Sequence, residues 1–180
     1  MTPRVVLVGP PGAGKTTIGR KLAARLGLPL QDTDTAVEQA SGRRVAAIFT
    51  TDGEPAFRGM EEHAVLAGLA SHRGVLSLGG GAVLSARTRA ALIGHTVVFL
   101  NVGMAEGVRR TGMSGSRPIL TGINPRATFK ALLDARLPLY REVATIEVLT
   151  DGLPAAAVTE AVLAQLPPHA SGVGGTGLGG

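Results

Sequence analysis

The sequence predicts an α/β protein, a three-layer α/β/α sandwich on a five-stranded parallel sheet. Three observations carry that expectation. Five short runs rich in Val, Ile and Leu alternate with segments of helical periodicity, and such alternation builds parallel sheets with right-handed helical crossovers. A glycine-rich turn joins the first run to the first helical segment. The other polar and glycine-rich clusters mostly follow the strand runs, at the sheet edge where open α/β folds hold ligands.

The elements follow in order. RVVLV (Arg4 to Val8) is a β-branched run with the look of a buried strand. Ile18, Leu22 and Leu26 recur at helical spacing, and Gly27 stops that helix. LPLQD (Leu28 to Asp32) is the second strand, and TAVEQASG a helix closed by Gly42. From Val45 onward a short helix, a turn at TDGE and a longer helix through Leu69 are expected. GVLSL (Gly74 to Leu78) is the third strand and runs into three glycines. Ser85 is placed to cap a helix through Leu92. TVVFLNV (Thr96 to Val102) is the fourth strand, and AEGVRRTG a further helix. The stretch from Gly112 to Pro125 has no period and is dense in Gly, Ser and Pro, so it reads as a long functional loop. RATFKALLDARLPLY is helical, TIEVLT the last strand and PAAAVTEAVLAQL the last helix. One domain is expected over residues 1–167, with 168–180 a disordered glycine-rich tail.

The turn after the first strand is GPPGAGKTT. Gly9, Gly14, Lys15 and Thr16 fit G-x-x-x-x-G-K-[ST], and the strand before and helix after supply the context that makes this a phosphate loop. The loop alone indicates the P-loop NTPase superfamily. Glycine lets the backbone come close to phosphate oxygens with its N–H groups pointing inward, and the helix N-terminus adds partial positive charge. Gly12, Ala13, Gly14, Lys15, Thr16 and Thr17 are the nucleotide-binding candidates. Lys15 would reach the β- and γ-phosphates, and the Thr16 hydroxyl would ligate Mg²⁺.

The remaining composition narrows the field. The chain has 180 residues, a formal charge of +5 and no cysteine, which excludes disulfides and thiolate metal sites and fits a cytoplasmic protein. No apolar run approaches the ~20 residues of a membrane span. The basic residues are mostly scattered arginines and aromatics are 3%, so no stacking platform for nucleic acid is expected. Planar guanidiniums serve equally for a small substrate carrying phosphate and carboxylate.

Beyond the phosphate loop, DTD (Asp32 to Asp34), IFTTDGEPAFRGMEE, LSLGGGAV, RRTG, the Arg-Pro of SRPIL, and ARLPLYREVA occur in that order. Together they make the chain resemble the shikimate kinase family over most of its length. The resemblance implies a nucleoside-monophosphate-kinase-like architecture within the P-loop NTPase superfamily. It implies transfer of the γ-phosphoryl of ATP to the 3-hydroxyl of shikimate, giving shikimate 3-phosphate and ADP on the route to chorismate. It implies ATP with Mg²⁺, shikimate as acceptor and a cytoplasmic enzyme. A monomer with no nucleic-acid or membrane partner is expected.

The resemblance also assigns roles. Asp32, with Thr16, would hold the metal; Asp34 would orient the acceptor hydroxyl and take its proton. Asp34 could instead cap the following helix. Arg58 and Arg136 correspond to the pair that grips the substrate carboxylate, and Glu61 is spaced to orient Arg58 or merely to pair with it on a helix surface. Gly79, Gly80 and Gly81 would present N–H groups to substrate and γ-phosphate, or form a plain turn. Arg117 corresponds to a lid arginine reaching the transferring phosphates, and Arg110 to one that stacks on adenine; Arg109 reads as solvated. Phe57 and Ile48 fit either a wall beside the ring or ordinary core. Lys15, Asp34 and Arg117 form the expected catalytic set. Two departures fall at the margins: Ala47 stands where the family often has an acid, and TDGLP lacks the arginine that some members carry there.

Other readings are a gluconate- or adenylate-kinase-like enzyme, a GTP-binding switch, and a catalytically silent nucleotide-binding partner. The first has no need of a carboxylate grip. The second usually reads guanine with N-K-x-D, and no Asn-Lys occurs in the chain. Intact Lys15, Asp34 and Arg117 weigh against the third.

Overall fold

The computed structural model describes residues 2–111 and 125–169. Five parallel strands form one sheet: β1 (Val5–Val8), β2 (Leu30–Asp32), β3 (Val75–Ser77), β4 (Val97–Asn101) and β5 (Ile146–Leu149). Their order is β2-β3-β1-β4-β5. Eight helices connect or follow them: α1 (Lys15–Leu26), α2 (Thr33–Ser41), α3 (Val45–Asp52), α4 (Glu54–Ser71), α5 (Ala86–Leu92), α6 (Met104–Thr111), α7 (Pro125–Val143) and α8 (Ala155–Gln165). The three-layer α/β/α arrangement expected from the alternation is present. The loop read over 112–125 lies outside the described residues except for Pro125, which opens α7, and so does the tail from residue 170.

The central strand β1 is apolar and buried on every residue, and β4 on its first four, because both faces of the sheet are covered there. Val5, Leu7, Val98 and Leu100 pack on one side with Ile18 and Leu22 of α1 and Val158 and Val162 of α8. Val6, Val8, Val97 and Phe99 face the other way, onto Val65 and Leu69 of α4, Leu92 of α5 and Tyr140 of α7. A third cluster of Val37, Ile48, Phe57 and Ala64 holds α2, α3 and α4 together beyond the sheet. Ile48 and Phe57 are thus packed as core at 0% and 3% exposure.

Local signals account for most boundaries. Gly27 and Gly42 end α1 and α2 in the left-handed conformation that glycine tolerates. Ser85 caps α5 by accepting from the Thr88 N–H at 3.1 Å. Three details differ from expectation. The break between α3 and α4 is the single residue Gly53 rather than a four-residue turn, since its φ of +88° reverses the chain alone. A 3-10 turn, Ala82–Leu84, follows the triple glycine. Helix α2 begins at Thr33, because Asp32 and not Asp34 is its cap: Asp32 Oδ1 accepts from the N–H groups of Asp34 (2.9 Å) and Thr35 (3.3 Å). The alternative cap role for Asp34 is thereby replaced.

Candidate active site

The parallel topology brings the ends of β1, β2 and β3 to one edge of the sheet. A cavity of about 220 Å³ there is lined by Gly12, Gly14, Lys15, Thr16 and Thr17 from the phosphate loop and α1. Asp32 and Asp34, Gly79 and Gly80, and Arg110 complete it. Four stretches far apart in the chain thus share one hollow.

Lys15 is the first residue of α1 and, at 9% exposure, is not an exposed loop lysine. Its Nζ donates to the carbonyls of Gly9 (2.6 Å) and Pro10 (3.0 Å). Gly14 precedes it in the left-handed conformation, which turns the chain into the helix and leaves the first N–H groups of α1 for an anion. Ala13 is buried beneath the loop, its N–H donating to the Pro10 carbonyl at 3.2 Å. Thr16 and Thr17 are exposed on the first turn.

Arg110 reaches across from α6. Its Nη1 donates to the Gly12 carbonyl at 3.0 Å and to Thr150 Oγ1 at 3.3 Å, while Nε pairs with Glu106 at 2.9 Å. The guanidinium ties α6 and the end of β5 to the phosphate loop. Arg109 is exposed and pairs only with Glu106 among the described residues. Arg117 lies outside the described residues.

Beyond the glycine turn, a neighbouring cavity is lined by Arg58, Glu61 and Gly81, where Glu61 of α4 is 2% exposed. Arg58 Nη1 donates to Glu61 Oε1 at 2.8 Å, and Arg58 Nε and Nη2 share Glu54 Oε1 at 3.2 and 3.1 Å. The guanidinium also lies 5.3 Å from the Phe57 ring centroid and 5.8 Å from that of Phe49. Burial raises the Glu61 carboxyl above its ordinary range, Arg58 opposes that shift, the Asp34 charge adds to it and Arg136 opposes it. Asp34, Arg58 and Arg136 are therefore all electrostatic neighbours of one carboxylate. Arg136 is 6% exposed on α7 and sits beside the Tyr140 hydroxyl.

The triple glycine is required by close approach rather than by an unusual backbone, for none of the three has positive φ. A methyl group on Gly79 would collide with Glu61 Oε2 and lie 2.8 Å from Asp34 Oδ1. One on Gly81 would overlap the Arg58 guanidinium. The carboxylates and the guanidinium press directly on the turn, which is more than a plain strand-to-loop reversal needs.

Two contacts had no counterpart in the sequence reading. Gly79 N–H donates to Thr33 Oγ1 at 3.1 Å, and the Tyr140 hydroxyl donates to the Gly80 carbonyl at 2.5 Å. Thr33 stands inside DTD and Tyr140 inside RLPLY, so the motifs contained both residues without indicating what they touch.

The shikimate kinase family model matches residues 11–167. The chain belongs to the shikimate kinase family. The shikimate kinase of Saccharopolyspora erythraea is 63% identical over 92% of this chain and 95% of that protein. That of Rhodococcus jostii is 54% identical over 92% of this chain and 99% of its own. Among solved structures, a shikimate kinase from Acinetobacter baumannii, in complex with shikimate, superposes with a TM-score of 0.86 at 36% identity and covers 91% of both chains. The activity is accordingly that of a shikimate kinase, a phosphotransferase of P-loop architecture. Membership in this family sets aside the gluconate- and adenylate-kinase readings and the switch-protein reading.

Proposed function

We propose that this hollow performs in-line transfer of the γ-phosphoryl of ATP to the 3-hydroxyl of shikimate, with residues 1–167 as one kinase domain. One observation carries the assignment of residues: the phosphate loop, Asp32 and Asp34, and the triple glycine line a single cavity, and the Arg58–Glu61 pair abuts its glycine turn. The N–H groups of Gly12, Gly14, Lys15, Thr16 and Thr17 cradle the phosphates, and Ala13, whose own N–H bonds the Pro10 carbonyl, holds the shape of the loop beneath them. Lys15 exchanges its carbonyl partners for phosphate oxygens. Arg110 borders the nucleotide end of the cavity, where its planar cation suits a purine face.

At the acceptor end, Arg58 and Arg136 hold the shikimate carboxylate and leave the ring against the glycine turn. Arg58 is held by two glutamates on one side and faces Gly81 on the other, so its fork is already oriented before a ligand arrives. Asp34 orients the acceptor hydroxyl and accepts its proton as the new P–O bond forms and the bond to ADP breaks. Gly80 and Gly81 have no hydrogen-bond partner for their N–H groups among the described residues, which fits them as donors to substrate or to the transferring group. Arg117 completes the catalytic set.

The residues present fit Mg²⁺. Asp32 commits Oδ1 to two backbone donors and keeps Oδ2 for a cation, and Thr16 borders the same cavity. Among the described residues no cluster of three His, Cys, Asp or Glu could hold a metal alone, as expected where phosphate oxygens and water supply the remaining ligands. Bound there, Mg²⁺ would neutralise charge on the phosphates. No helix among the described residues is long and apolar enough to cross a membrane. A cytoplasmic enzyme, monomeric and without nucleic-acid partners, completes the reading.

A coupled ADP-release assay tests it. ADP release is expected to depend on shikimate, ATP and Mg²⁺ together. Arg136→Lys, which keeps charge and loses the fork, should raise the KM for shikimate more than about tenfold and leave that for ATP unchanged. Loss of ATP affinity with shikimate unaffected would overturn the placement of α7 at the acceptor.

A further inference from the structure

We propose that Thr33 and Tyr140 are positioning residues that clamp the triple-glycine turn from two sides and so set the geometry of the shikimate grip. This rests on the reading of Asp34, Arg58, Arg136 and the turn as the acceptor site.

Three consecutive glycines have the greatest backbone freedom of any tripeptide and no side chains with which to anchor themselves. This turn nevertheless runs between two carboxylates, a guanidinium and the phosphate loop, where a displacement of a few tenths of an ångström meets another atom: Pro11 Cδ lies only 3.1 Å from where a Gly80 methyl would stand. Something outside the turn must hold it. Two buried hydroxyls do so. Thr33, 0% exposed, accepts from the Gly79 N–H. Tyr140, 1% exposed, donates to the Gly80 carbonyl.

Each hydroxyl is itself fixed. Thr33 lies between Asp32, which caps α2, and Asp34, so the bond to Gly79 sets the distance between Asp34 and the turn. The Tyr140 ring stacks on Phe99 of β4 with centroids 5.0 Å apart and planes at 27°. Burial pushes its hydroxyl up to about 12, which keeps it protonated and able to donate at any working pH. Arg136 stands one helical turn before Tyr140 with its guanidinium beside the same hydroxyl. One oxygen therefore bonds the glycine turn and is an electrostatic neighbour of one arm of the carboxylate grip. The clamp links the start of α2, the glycine turn after β3, and α7, three segments that contribute acceptor-site groups from distant parts of the chain.

Steady-state kinetics on the full chain test the clamp with Tyr140→Phe, Thr33→Val, Thr33→Ser and the Phe/Val double variant. Tyr140→Phe and Thr33→Val keep shape and burial. Each should raise the KM for shikimate about tenfold, the worth of a buried hydrogen bond, with the KM for ATP within about twofold and the melting temperature within a few degrees of wild type. Thr33→Ser keeps the hydroxyl and should stay within about threefold. The double variant should fall short of the product of the single effects, since both release the same turn. If neither substitution moves the shikimate KM while Arg136→Lys still does, the clamp is wrong and the acceptor-site reading stands. If Arg136→Lys is also silent, that reading has failed. Equal losses for both substrates, or Thr33→Ser as impaired as Thr33→Val, would reduce the two hydroxyls to general structural roles. Should Tyr140→Phe not fold, the Thr33 pair decides alone.

Discussion

Arg58 and Glu61 form a 2.8 Å ion pair in which the carboxylate is almost wholly buried and the guanidinium one-fifth exposed. Because burial raises the Glu61 carboxyl above its ordinary 4.5, the folded protein holds this proton more tightly than the unfolded chain. Between 4.5 and the higher folded value, the folded state binds more protons and stability falls as pH rises. Across the same window, falling pH neutralises Glu61 and releases Arg58. The KM for shikimate is therefore expected to climb as pH drops through that range. Glu61→Gln should show a higher KM at neutral pH and no climb, and pH-resolved kinetics with thermal melts check both.

Gly81→Ala places a methyl group inside the Arg58 guanidinium. The arginine must swing away from Glu61, so shikimate KM should rise at least about tenfold, in line with loss of a charge-assisted bond. ATP binding, measured separately by calorimetry, should not change.

Asp34→Asn keeps the shape of the side chain and, since Asp32 is the cap of α2, leaves the helix start intact. Turnover should fall by ~10²-fold or more, the usual contribution of a positioned base. Single-turnover measurements showing wild-type transfer would remove Asp34 from the chemistry.

Lys15→Met retains the buried aliphatic stem and deletes the ammonium that bonds Gly9 and Pro10. Phosphoryl transfer should be lost while circular dichroism remains that of the folded protein. The two carbonyls lose a donor, which is expected to cost about 1–3 kcal/mol of stability and to appear as a modest drop in Tm.

Arg117→Ala is expected to cut kcat at least a hundredfold with little change in shikimate affinity, the lower end of what arginines contribute to phosphoryl transfer (~10³–10⁵) once Lys15 and Mg²⁺ share the charge. A variant within threefold of wild type would reduce Arg117 to surface charge.

The sheet was readable from the sequence because β1 and β4 are β-branched runs, and because α1 and α2 carry their own stops at Gly27 and Gly42. The edge that gathers the motifs follows from parallel topology. Less accessible were distinctions between chemically equal candidates. Asp32 and Asp34 are both good caps by type, and only the end of β2 decides between them. Nor does any periodicity relate Tyr140 to Gly80, 60 positions away, or Thr33 to Gly79, 46 away. Such contacts depend on how the start of α2 and α7 come to the glycine turn beyond β3, which local pattern does not encode. The two readings of Glu61, compatible from the spacing alone, hold together: the i,i+3 pair with Arg58 forms, and its carboxylate is buried rather than on a helix surface.

The ammonium of Lys15, seated on the Gly9 and Pro10 carbonyls, makes the loop a ranking device for anions. Whatever recruits this cation must outbid two well-placed acceptors at 2.6 and 3.0 Å. A monoanion offering one oxygen returns little more than the carbonyls already provide. A polyphosphate offers several oxygens and a greater charge, and it engages the helix N-terminus at the same time. The threshold is thus written into the backbone of the loop itself.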